Sequence, residues 1–137
     1  MSDIPARLRR LVVSRAGDRC EYYRLAQKGQ EATFHIDHIL PKVAGGRTAA
    51  ANLALACVSC SLRKEARRSA IEPNTNRGVA LFHPRRQGWQ DHFRWDGFRI
   101  VGLTPTGRAT VAALQMNRPL ILAIRQEEAA RGWASEP

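Results

Sequence analysis

His35-Ile36-Asp37-His38-Ile39-Leu40-Pro41 decides how this chain is read, because it joins a β-rich, alternating run that begins at Thr33 to an abrupt stop. Pro41 and the pair Gly45-Gly46 break the run into a loop. Downstream, Asn52-Leu53-Ala54-Leu55-Ala56 is short and apolar enough to return as a second strand, and it leads into Cys57-Val58-Ser59-Cys60. Residues 61–68 hold good helix formers and no breaker, so a helix is expected there. The unit is strand, loop, strand, helix. Neighbouring residues on a strand point to opposite faces, which lets Asp37 and His38 serve two different centres.

Upstream, Asp3 is placed to cap a helix with Pro5 in its first turn. Ile4, Leu8, Leu11 and Val12 follow at helical spacing, and Gly17 is its stop. Beyond the core unit, Glu72-Pro73-Asn74-Thr75-Asn76-Arg77-Gly78 reads as a loop and residues 79–82 as a brief strand. Phe93-Arg94-Trp95-Asp96-Gly97-Phe98-Arg99-Ile100 signals a hairpin with Asp96-Gly97 as its two-residue turn. That turn pairs Trp95 with Phe98 and Phe93 with Ile100, and it sets Arg94 against Arg99, where two cations repel unless an acid or a phosphate lies near. Two helices are expected, over 106–116 and over 119–131, the second capped by Asn117 and ended by Gly132. The fold class is α+β.

The 137 residues are 44% hydrophobic and 25% charged, the composition of one ordinary globular domain. No run of about 18 apolar residues is present, which argues against a membrane span, and the start lacks the apolar stretch of a signal peptide. A cytoplasmic protein is expected. Lys+Arg outnumber Asp+Glu by 22 to 12, and a net charge of +10 points to a polyanionic partner. Nineteen of the cations are arginines, whose planar fork grips phosphate oxygens in pairs. The field is stronger over residues 1–68, at +7, than over 69–137, at +3. Three cysteines cannot pair fully, so a metal knuckle or free thiols is a better reading than a disulfide scaffold.

Taken together, the 35–41 segment, Gly45-Gly46, Asn52-Leu53 and Cys57-Val58-Ser59-Cys60 resemble the HNH endonuclease family, over residues 15–68. The resemblance implies a ββα-metal core. Here it would comprise residues 1–70 with the N-terminal helix, and residues 71–137 would form a C-terminal extension, with a β-hairpin and two helices, packed on that core. It implies a metal-dependent endonuclease or nickase that hydrolyses DNA phosphodiester bonds. His38 would be the general base, Asp37 the ligand of a catalytic Mg²⁺ or Mn²⁺, and Asn52 the tie of the intervening loop. The alternative is a nucleic-acid-binding protein of the same descent that cuts weakly or not at all. Cleavage of RNA is a third possibility.

Two departures from the family pattern matter. Where the family places His or Asn after the second knuckle cysteine, this chain has Ser61, a weaker ligand. Glu65, four residues on, stands at the spacing that colicin-type members use for a second helical ligand and could compensate. His35 shares a strand face with Asp37 and is either an accessory ligand, a phosphate contact or a packing residue. The first knuckle reads Cys20-Glu21-Tyr22-Tyr23, so a structural Zn²⁺ on Cys20, Cys57 and Cys60 lacks one ligand; water, His35 or another donor would complete it, or Tyr23 packs on reduced thiols without zinc. Phosphate contacts to double- or single-stranded DNA are expected from Lys42, Arg47, Arg63, Lys64, Arg67 and Arg68. Phe93, Trp95 or Trp89 could stack on unpaired bases. His83 and His92 read as ordinary polar residues.

Overall fold

Strands β1 (His35–His38) and β2 (Leu53–Ala56) pair antiparallel, with Asp37 opposite Ala54 and His38 opposite Leu53. The computed structural model describes residues 4–30 and 32–133; Asp3, the expected helix cap, lies outside the described residues. Helix α1 (Ala6–Arg15) packs against β2, and its chain turns off through Gly17 at φ +64°. Pro5 directly precedes the helix instead of lying within it. Val12 is the residue of α1 fully removed from water, a burial that contributes about 1.5–3 kcal/mol. All four side chains of β2 are buried, because α1 packs against it and β1 runs alongside.

Helix α2 spans Val58–Lys64 and docks on β1. It starts earlier than residues 61–68 predict, because Cys57 caps it: the Cys57 Sγ accepts the Cys60 N–H at 3.4 Å. It also stops earlier, because Glu65 adopts φ +52° and ends it. The chain then enters β3 (Ser69–Ile71), a strand the sequence reading did not anticipate, which pairs with β4 (Gly78–Ala80).

A single turn, α3 (Trp89–His92), precedes the hairpin β5 (Phe93–Asp96) and β6 (Arg99–Gly102). Its register differs from the expectation: Trp95 faces Ile100, Arg94 faces Val101, and Asp96 faces Arg99. The two-residue turn is Gly97-Phe98, and Gly97 takes φ +62° at the first turn position. The Arg94–Arg99 repulsion therefore does not arise, since Arg99 faces an acid across the ladder. Helices α4 (Pro105–Ala113) and α5 (Pro119–Ala130) follow. Asn117 does not cap α5: its amide donates to the Ile100 carbonyl and accepts from the Ile100 N–H, both at 2.7 Å, and so pins α5 to the hairpin. Gly132, at φ +76°, closes the helix.

One apolar cluster draws Val12, Tyr22, Phe34, Leu53 and Leu55 together with Phe82, Trp89, Phe93, Ile100, Leu114 and Ile121. Polar ties cross the same seam. Tyr23 Oη donates to the Leu114 carbonyl, Arg125 donates to the Tyr23 carbonyl at 3.2 Å, and Arg85 pairs with the buried Glu21. The aromatics expected to stack on bases are part of this interior. Trp89 lies 5.1 Å from Phe93 and 5.4 Å from Trp95, and Arg125 covers the Trp95 ring. Packing has taken the faces that a base would need.

Candidate active site and thiol cluster

Gly45 and Gly46 shape the loop between β1 and β2. Gly45 takes φ +92°, and a Cβ at Gly46 would run into the Leu40 carbonyl oxygen, so the chain can close here only without a side chain. Asn52 uses the closeness this allows. Its Oδ1 accepts the Leu40 N–H at 2.7 Å, and its Nδ2 donates to the carbonyls of Leu40 and Arg47 at 3.0 and 2.9 Å. A hydroxyl that sequence reasoning missed, Thr48, is carried on this loop to 2.9 Å from His38 Nε2. The other ring nitrogen, Nδ1, has no partner among the described residues.

A cleft of about 560 Å³ runs along β1 and is lined by His35, Asp37, His38, Lys42, Ser61 and Glu65 among others. The structure thus brings the residues expected as base and metal ligands, His38, Asp37, His35, Ser61 and Glu65, to one open space with Lys42, while Arg47, Arg63, Lys64, Arg67 and Arg68 lie outside its lining. Within it, His35 Nδ1 meets Ser61 Oγ at 2.9 Å. Glu65 reaches the cleft from the residue that ends α2, not from a further helical turn, and it is exposed.

Lys64 overturns one expectation. It is 2% exposed, and its Nζ lies 3.1 Å from Asp37 Oδ2 and 3.3 Å from the Ile39 carbonyl oxygen. It is a buried counter-ion and is not free to contact DNA, because the last turn of α2 points it beneath β1. Tyr22 Oη donates to the same Asp37 oxygen at 3.4 Å. Burial raises the Asp37 carboxyl above its ordinary value, and Lys64 and Tyr22 oppose that rise. His38 is shifted the other way: burial and then the charge of Lys42 lower it, so its neutral, proton-accepting form is favoured.

Asp37 Oδ1 carries no hydrogen bond among the described residues. With the hydroxyl of Ser61, the imidazole of His35 and the carboxylate of Glu65, it forms a donor set that suits a hard divalent cation retaining much of its water. These donors surround a space and do not make a closed cage. Among the described residues, the group of three or more His, Cys, Asp or Glu ligand atoms lying within 4.8 Å of one another is Cys20, Cys57 and Cys60.

All three thiols are buried and none is in a disulfide. His35, exposed on the α2 side of β1, is not part of the cluster and does not complete it. The two half-knuckles share one turn: Tyr23 N–H donates to Cys20 Sγ at 3.3 Å just as Cys60 N–H donates to Cys57 Sγ. Residue 23 therefore stands at the fourth corner, but its phenol extends away to Leu114. Burial opposes ionisation of Cys20, yet hydrogen bonds from Cys57 and Cys60 hold its thiol well below the ordinary value, while the same contacts raise Cys57 and burial raises Cys60. Three sulfurs within 4.8 Å of one another offer a thiophilic ion three corners of a tetrahedron.

Tyr23→Cys is expected to bind close to one zinc per chain. Without zinc the variant should be destabilised by about 3–5 kcal/mol, because a fully buried aromatic is lost. Zinc should then raise its Tm by more than it raises that of the wild type, and equal increments would show that the half-knuckles do not converge on an ion.

A comparison with known families points to the same stretch of chain that builds the cleft and the thiol cluster. Residues 20–67 match the HNH endonuclease family, and no helix among the described residues is long and apolar enough to cross a membrane. No curated protein and no solved structure matches the chain. These 48 of its 137 residues carry β1, β2, α2 and all three cysteines, so the likeness to the HNH endonuclease family lies in that unit of the chain.

Proposed function

We propose that this protein is a metal-dependent endonuclease or nickase that hydrolyses DNA phosphodiester bonds in the cleft along β1. The observation that carries the reading is the meeting of His38, Asp37, Ser61 and Glu65 in one open space. Thr48 holds the His38 ring through Nε2 and leaves Nδ1 to take a proton from the attacking water. Asn52 keeps the loop that carries Thr48 in place. Asp37, with Ser61, Glu65 or His35, would hold Mg²⁺ or Mn²⁺, which supplies stabilisation of the charge that builds on the phosphate oxygens and the departing 3′ oxygen. Lys42, Arg47, Arg63, Arg67 and Arg68 would bind phosphates. We read Cys20, Cys57 and Cys60 as a structural Zn²⁺ site, kept reduced in a cytoplasmic setting. The extension, 71–137, continues the nuclease core as one domain.

The rival reading is a binding module that no longer cuts. It is favoured by Lys64, which already occupies one oxygen of Asp37. Supercoiled plasmid, single-stranded DNA and labelled RNA incubated with Mg²⁺ or Mn²⁺ decide between the two. Nicked or cut DNA from the wild type, and none from His38→Ala, supports the nuclease. Equal behaviour of the two proteins selects the binding module, and cleavage confined to RNA corrects the substrate.

A further inference from the structure

A second concavity of about 810 Å³ lies between residues of the β1–β2–α2 unit and residues of the extension, and it gathers three of the arginines assigned to phosphate binding together with one that is not, Arg86. Its floor includes Ile39, Leu81 and Phe82, and its walls carry Arg47, Arg67 and Arg68 from the core and Arg86 from the extension. All four arginines are exposed, and no Asp or Glu lines the groove. The side chains of Arg47, Arg68 and Arg86 have no ion-pair or hydrogen-bond partner among the described residues. Uncompensated cations gathered in a concave wall focus field for an anion.

The groove also adjoins the catalytic cleft. The two share the same pair of walls: Pro41, Lys42 and Val43 face the cleft while Gly45 and Arg47 face the groove, and Glu65 and Ala66 face the cleft while Arg67 and Arg68 face the groove. A backbone hydrogen bond from Leu81 N–H to the Arg68 carbonyl, at 2.9 Å, ties the two sides of the groove together, and Arg68 and Arg86 both line it. Neither part of the chain makes this groove alone.

We infer that the groove is the path of the nucleic-acid strand that flanks the scissile phosphate, with Arg47, Arg67, Arg68 and Arg86 neutralising its backbone. This rests on the nuclease reading for the position of the scissile bond, and it gives the extension a function: to supply the far wall of the strand path. Arginines on both walls and no acid between them suit a single strand leaving the cleft, which a protein grips through phosphates without reading sequence.

Fluorescence anisotropy of a labelled single-stranded oligonucleotide, measured without added divalent ion across a salt series, tests the inference apart from cleavage. Arg68→Ala/Arg86→Ala is expected to weaken binding at least tenfold and to reduce the salt slope by about 1.4, two contacts at roughly 0.7 each. The matched control, Arg94→Ala/Arg99→Ala, removes the same charge from exposed positions on the hairpin that line neither cavity and should change both far less. Arg68→Lys/Arg86→Lys should keep the slope. Equal losses in the groove and hairpin variants, or as large a loss with lysine as with alanine, overturn the strand path. Cleavage that depends on His38 but is indifferent to the groove variants overturns this inference alone. Groove-dependent binding with no cleavage upholds the groove as a strand-binding path and removes the nuclease reading, and with it the scissile phosphate.

Discussion

His38→Ala is expected to lower the rate of DNA cleavage by about 10²–10⁴-fold, the usual contribution of a positioned general base. The loss should fall on the chemical step, since His38 makes one side-chain hydrogen bond, to Thr48, and is only partly buried. Tm and oligonucleotide affinity should stay near the wild-type values. The pH dependence follows from the shift at this residue. Burial and Lys42 hold the imidazole below its ordinary 6.5, so the acid limb of the pH–rate profile should turn down below that value, with the base fully available at neutral pH. Lys42→Gln removes the larger of the two charges that lower it and should move the limb upward. A profile that does not move, or a His38→Ala protein that cuts at the wild-type rate, would take the base role from His38.

Lys64→Ala carries the largest effect expected on stability. The ammonium and the Asp37 carboxylate are 3% and 10% exposed, so removing one partner leaves a charge buried without compensation, at a cost of about 3–5 kcal/mol. A fall in Tm on the order of 10 °C follows. With Lys64 gone, burial alone raises Asp37 further, and a group whose folded pKa lies above its unfolded one adds stability at low pH and loses it as pH rises through the folded value. The deficit of the variant should therefore be smaller at pH 4 than at pH 8. Lys64→Met/Asp37→Asn, which removes both charges, should recover most of the stability, and the double-mutant cycle reads the coupling directly. Simple additivity of the two single changes would show that the pair is not an interacting unit.

The same pair explains why the site was only partly legible in the sequence. His35, Asp37, His38 and Asn52 announce themselves by type and order, and β1, β2 and the loop between them form where alternation, Pro41 and the two glycines put them. Lys64 looked like one more surface cation, because a helix prediction over 61–68 does not say which face meets β1. Thr48 gave no signal beyond following the Gly45-Gly46 loop, and the basic groove is invisible to any local reading because Arg86 and Arg68 are 18 positions apart. The hairpin register failed for a related reason: Asp96-Gly97 and Gly97-Phe98 are both acceptable turns, and packing of Trp95 against Trp89 and Arg125 accompanies the one observed.

By itself, the sequence determined the β1–loop–β2–α2 order, the α+β class, the family signature and the excess of positive charge, which are read from residue types and local order along the chain. Only the tertiary structure decided which cations are free and which are spent inside, that three sulfurs converge while the Tyr23 phenol reaches away to Leu114, and that the extension shares one core with the β1–β2–α2 unit. Burial and charge pairing are properties of neighbours in space, and the chain brings those neighbours together only when it closes on itself.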